Sequence, residues 1–180
     1  MRRLPAPSAD LLLAAVDTPK TANRSAARQL VRQVLQQLLA ANLTGPVELI
    51  EQPGQPLRLA PPHAGIGLSV SHEVGLSLLA IHFAGPVGID LLGLQQLPSN
   101  PEEINRLAHD YLGQSLHTPA SLATAWTQHE AALKCLGKPL QEWQAGEETA
   151  LAACQIHELA LPAAYVGSVA TLRAAENPAA

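Results

Sequence analysis

Apolar and polar positions along this chain fall into a few recognisable registers. Residues 11–16 form a short uninterrupted apolar run, which predicts a buried strand. Asp17-Thr18-Pro19 then supplies turn and helix-start chemistry. Over residues 21–43, Leu30, Val31, Val34, Leu35, Leu38 and Leu39 recur at helical spacing, while Arg24, Arg28 and Arg32 recur every fourth residue on a different face. Residues 47–51 and 57–59 read as strands around a Pro53-Gly54 turn. The block 65–92 is rich in small and β-favouring residues and is broken at Glu73-Val74-Gly75 and Ala84-Gly85-Pro86. It predicts three adjacent strands at 67–71, 76–83 and 87–91. A polar connection over 95–101 leads to a modest helix at 102–112 and a stronger one at 121–136, ended by Gly137. Strands are predicted at 156–161 and 165–172, and residues 174–180 read as a frayed tail.

The order of these elements carries a faint internal echo. A long helix precedes strands in the first part and again in the second, and Val74-Gly75-Leu76-Ser77-Leu78 resembles Tyr165-Val166-Gly167-Ser168-Val169 in pattern. The expected fold class is α/β (α+β), with two related halves at 1–92 and 93–180, each a long helix packed on a small, mainly antiparallel sheet. Alternation of Gly, Ser and aliphatics is also common in unrelated strands, so coincidence stays open beside duplication.

Composition narrows the function classes. A length of 180 residues supports one good core or two small halves sharing one. Aromatic residues are only 3%, so the core must be built from Leu, Ala, Val and Ile. Charged residues are 14%, well below a typical quarter, which makes each charge more informative. The net charge of −4 gives no basic footprint for nucleic acid. Cys135 and Cys154 form no C-x-x-C motif and read as reduced core thiols. No segment reaches membrane-spanning length, and the six-residue run at 11–16 is short for a secretion signal. A cytoplasmic protein without membrane attachment is expected.

Two carboxylates stand out because each lies in otherwise apolar sequence. Gly88-Ile89-Asp90 closes a predicted strand, and Trp126-Thr127-Gln128-His129-Glu130-Ala131 lies on the stronger helix. A buried acid is costly unless a cation meets it, and a divalent metal shared with a phosphate ligand is one answer. On the helix, Trp126, Glu130, Lys134 and Gly137 fall near one another, flanking an apolar stripe. Taken alone, Glu130 and Lys134 read more simply as a solvated ion pair bordering the core, Ser71-His72 as a structural turn and the three arginines as a solvated face, while Asp90 is equally well a turn or helix cap. No Walker loop, G-x-G-x-x-G, H-E-x-x-H or zinc spacing is present.

The ordered combination of Ser71-His72, Gly88-Ile89-Asp90 and Trp126-x-x-His129-Glu130-Ala131-x-x-Lys134-x-x-Gly137 resembles the phosphopantetheinyl transferases of the larger type, built of two pseudo-symmetric halves. Arg28-x-x-x-Arg32 looks like the family's arginine-bearing first helix, Gly54-Gln55-Pro56 like its Gly-Lys-Pro turn, and residues 165–172 like its closing strand. The resemblance implies transfer of the phosphopantetheine arm of coenzyme A to a serine of an apo acyl or peptidyl carrier protein, with release of adenosine 3',5'-bisphosphate. It implies magnesium held by Asp90 and Glu130, with Glu130 also the general base. Lys134 would meet the pyrophosphate, and Ser71 and His72 another phosphate. Arg28, helped by Arg24, would lie near the nucleotide. A monomer suffices, because two halves in one chain complete the cleft.

The chain departs from the family pattern at three places. The acid motif Gly-Ile-Asp-x-Glu ends here in Leu92, the Lys of the helical Lys-Glu pair is His129, and the Lys of Gly-Lys-Pro is Gln55. One metal ligand and two cations are thereby lost. The implied readings are a divergent working transferase and a non-catalytic binder of coenzyme A or of a carrier protein. Outside the family, the acids of a small α/β domain would form structural hydrogen bonds only.

Overall fold

The computed structural model describes residues 1–18, 24–52, 55–144 and 146–173, with the side chain of Arg24 excluded. The expected Pro53-Gly54 turn, the Pro19 part of the first helix start and the 174–180 tail lie outside these residues. The first sheet contains strands β1 (Arg2–Leu4), β2 (Leu11–Asp17), β5 (Gly67–Glu73) and β6 (Leu76–His82). Its order is β1-β2-β6-β5, antiparallel throughout. A small hairpin of β3 (Leu49–Ile50) and β4 (Arg58–Leu59) follows helix α1 (Arg24–Asn42). The second sheet, ordered β7-β9-β8, joins β7 (Val87–Gly93), β8 (Cys154–Glu158) and β9 (Tyr165–Leu172), again antiparallel. Helices α2 (Pro101–Leu112), α3 (Pro119–Cys135) and the short α4 (Glu147–Leu151) lie between β7 and β8 in the chain.

The strand periodicity explains how these layers stack. On β2, Leu12, Ala14 and Val16 join Leu79, Ile81 and Leu68 in packing against Val31, Leu35 and Leu39 of α1. The alternate residues Leu11, Leu13 and Ala15 join Leu78 and Ala80 on the opposite face, against Ile89, Leu91 and Val169 of the second sheet. The first sheet is covered on both faces, which is why residues 11–16 read as an unbroken apolar run. Beyond the second sheet, Ala131, Ala132 and Cys135 of α3 pack on Cys154 and Ala170. The protein is thus a mixed α+β structure, with helices on antiparallel sheets.

One expectation is corrected. The strands at 67–73 and 76–82 pair as expected, but β7 forms no ladder with β6; its partner is β9, with Asp90 opposite Ser168. The Gly85-Pro86 break carries the chain out of the first sheet, so β7 starts the second. The two sheets instead meet where β5 runs beside β7, and hydroxyls bridge them. The Ile89 amide donates to Ser69 Oγ at 3.0 Å, and Ser71 Oγ donates to Asp90 Oδ1 at 3.0 Å.

Both longer helices of the second part have strong stops and starts. Asn100 accepts from the Glu102 amide at 2.9 Å ahead of Pro101, and Gly113 ends α2 at φ 62°. Thr118 accepts from the Ser121 amide ahead of Pro119. Helix α3 lies unusually close to β7: a Cβ on Gly88 would run into the Ala131 carbonyl oxygen and lie 2.5 Å from the Cys135 nitrogen. That approach sets the distance between β7 and the polar residues of α3. Among the described residues, no helix is long and apolar enough to cross a membrane.

Candidate active site

Asp90 and Glu130, from a strand and a helix that are distant in sequence, converge on one ammonium group. Lys134 Nζ lies 2.5 Å from Asp90 Oδ1 and 3.6 Å from Glu130 Oε2, and it donates to the Ile89 carbonyl at 3.3 Å. Helix α3 makes this possible by placing Glu130 and Lys134 one turn apart on the side that faces β7. Alternation on β7 sends Ile89 and Leu91 into the core between the sheets and turns Asp90 toward α3.

The burial of these groups is graded. The Asp90 side chain is 7% exposed, that of Glu130 23% and that of Lys134 33%, so the cluster opens toward solvent from the strand outward. Burial pushes the Asp90 carboxyl up to about 6; Lys134 opposes this, the charge on Glu130 reinforces it, and the Ser71 hydroxyl opposes it more weakly. The buried acid is therefore under-compensated by the one lysine beside it. Trp126 fixes the other acid, its indole Nε1 donating to Glu130 Oε1 at 2.9 Å. The Trp126 ring packs in turn on Tyr111 of α2, with centroids 5.5 Å apart.

A cleft runs along the first sheet from Lys134 of this cluster. One cavity of about 550 Å³ is lined by Lys134, Gly137, Lys138, Ser69 and Gln55. A second, of about 570 Å³, is lined by Arg28, Arg32, Glu51, Gln52 and His72. Gln55, Leu57 and Val70 border both, which makes them neighbouring compartments. The walls are more apolar than polar, with Lys134 and Lys138 in one compartment and Arg28 in the other, and so suit a ligand with anionic groups on a partly apolar body.

Not every expected residue faces this cleft. Ser71 and His72 are consecutive on β5 and point to opposite faces. His72 lines the Arg28 cavity and pairs through Nδ1 with Ser77 Oγ at 2.9 Å. Ser71 is buried and spends its hydroxyl on Asp90. Arg32 forms an exposed ion pair with Glu51 on the cavity wall, which leaves Arg28 as the other arginine there. The side chain of Arg24 and all of Gly54 lie outside the described residues.

The three divergent positions differ in setting. Leu92 is half-buried, two residues beyond Asp90 and on the same face of β7. Gln55 is exposed where the two cavities join. His129 is buried, its ring 5.8 Å from that of Trp143, and Nε2 finds no hydrogen-bond partner among the described residues. Burial lowers its pKa, against smaller opposing effects of Glu147 and Glu130, so it adds no cation at neutral pH. The cysteines are inert: both are buried, and burial, with Cys154 alongside, pushes the Cys135 thiol up to about 12.

Sequence reasoning missed Lys138, which is exposed on the cavity wall just after the helix stop. The Gly137-Lys138-Pro139 run was its only signal. It also missed the bond from Trp126 to Glu130, although their i, i+4 spacing allowed it.

Among the described residues, no three of His, Cys, Asp and Glu come together as a metal-binding group. Two carboxylates still fit magnesium, which is commonly held by one or two acids together with water and substrate phosphate. The under-compensated charge on Asp90 is the local property that would receive such an ion. No family model matches this chain, and a search of curated proteins finds no significant relative.

Proposed function

We propose that this protein is a phosphopantetheinyl transferase, which moves the phosphopantetheine arm of coenzyme A to the serine of an apo acyl or peptidyl carrier protein and releases adenosine 3',5'-bisphosphate. The observation that carries the reading is the convergence of Asp90 and Glu130 on Lys134 at the edge of a long cationic cleft. Phosphoryl transfer asks a protein mainly for alignment and neutralisation of charge, and the cleft offers both. The two helix-on-sheet layers would be the related halves of this family, in a cytoplasmic monomer.

Magnesium, held by Asp90 and Glu130, would neutralise charge on the diphosphate of coenzyme A. Lys134 and Lys138 would bind that diphosphate from the cavity they line. Arg28 and His72 would hold the nucleotide end. Glu130 is the general base: it is partly exposed, held by Trp126, and takes the proton of the carrier serine directly or through a water. The serine oxygen forms the new bond to phosphorus as the bond to the departing bisphosphate breaks. Ser71 acts behind the site, holding Asp90.

Incubation of an apo carrier with coenzyme A and magnesium, followed by intact mass, tests this. A gain of one phosphopantetheine arm is expected. Binding of coenzyme A without any mass gain across several carrier classes would favour a non-catalytic binder, the second reading, which the buried uncharged His129 supports. Failure to bind coenzyme A would remove both.

A further inference from the structure

We infer that Lys134 is the resident counter-ion of the Asp90–Glu130 pair, and that it keeps a divalent metal out until a diphosphate draws the lysine into the cleft. The inference rests on reading the two acids as metal ligands. An ammonium group has three N–H donors and no acceptor. Here it faces Asp90 Oδ1 at 2.5 Å, the Ile89 carbonyl at 3.3 Å and Glu130 Oε2 at 3.6 Å. The ammonium thus stands between the two acids, where a metal shared by them would sit.

Charge counting sets the order of events. Two carboxylates and one lysine leave a single negative charge, too little to hold a divalent ion beside an ammonium. Leu92 contributes none of the charge that an acid at that position would bring. Once Lys134 leaves, the two acids match a divalent ion. The lysine has somewhere to go, because it is 33% exposed and already lines the cavity of about 550 Å³ beside Lys138. A diphosphate arriving there offers it a new partner, and the vacated carboxylates accept the metal. Metal and diphosphate therefore enter together.

Binding of Mn2+ to the full chain, followed by electron paramagnetic resonance without coenzyme A, tests the idea independently of transfer. The wild type should bind Mn2+ weakly, whereas K134M and K134Q should bind it at least tenfold more tightly. Adding D90N to either variant should abolish the gain. Both single variants leave Asp90 buried without its charged partner, so they will be less stable, and Mn2+ should raise their melting temperatures while leaving the wild type's unchanged. A second measurement needs no variant: in equilibrium dialysis, the wild type should retain Mn2+ only when inorganic pyrophosphate is present. Equal Mn2+ affinity in wild type and variants, or tight retention by the wild type without pyrophosphate, would overturn the inference. If the metal behaves as expected but no carrier is ever modified, the transferase reading falls and the counter-ion role stands.

Discussion

The indole Nε1 of Trp126 donates a hydrogen bond of 2.9 Å to Oε1 of Glu130, one turn further along α3. The acid is thereby held at one oxygen while the other faces Lys134 at 3.6 Å. Since Tyr111 supports the Trp126 ring, α2 helps to aim a residue on α3. W126F keeps the ring contact and removes only the donor. A hydrogen bond to a charged group is worth about 1.5–3 kcal/mol, so kcat for the proposed transfer should drop about tenfold or more, with KM for coenzyme A unchanged. Steady-state kinetics beside a melting curve separates this from simple destabilisation.

Asp90 should make the metal-free protein less stable as pH rises. Its carboxyl is held at about 6, above the unfolded value, because burial outweighs the help of Lys134. Between pH about 4 and 6 the folded protein keeps a proton that the unfolded chain releases, so stability is lost across that window and levels off above it. The full cost is on the order of 2–3 kcal/mol. D90N cannot ionise. In chelator, its stability relative to wild type should grow through the same window, leaving it the more stable protein at pH 7 while transfer is lost. Urea unfolding of both proteins across that range is the check, and a constant difference would show that ionised Asp90 carries no such cost.

Leu92 shares a face of β7 with Asp90, so under the proposed function an acid there should reach the proposed magnesium ion. L92E is expected to lower the magnesium concentration needed for half-maximal transfer. A magnesium titration of activity decides it, and an unchanged requirement would place position 92 away from the metal.

Gly88 lets α3 approach β7 closely, because any Cβ there would collide with the helix backbone. G88A should cost about 3 kcal/mol, since rigid main chain must shift. G65A is the control, with open space around the added methyl group, and should stay within about 0.5 kcal/mol of wild type. Chemical denaturation measures both.

Much of this arrangement was legible in the sequence because it follows local periodicity. The apolar stripe of α1, the run at 11–16 and the Gly137 stop of α3 are patterns of near neighbours. Strand partners are not. Nothing local told β7 to pair with β9 rather than β6, and Arg2–Leu4 becomes a strand only because β2 offers it an edge. Residues 147–151 are too short for a helical period to show. At the site, the opposite facing of Ser71 and His72 was hidden because the expected strand stopped at residue 71, whereas β5 continues to Glu73, and the direct contact of Asp90 with Lys134, 44 residues later, had no local signal, the family resemblance giving the acid to a metal and the lysine to a pyrophosphate.

The meeting of β5 with β7 through Ser69 and Ser71 has an engineering consequence. A backbone ladder fixes the spacing of two strands for any sequence, but a seam stitched by two hydroxymethyl groups is written in replaceable chemistry. Exchanging one of these serines for a bulkier or shorter residue would retune the gap between the sheets, and with it the width of the groove, while every ladder within each sheet stays intact.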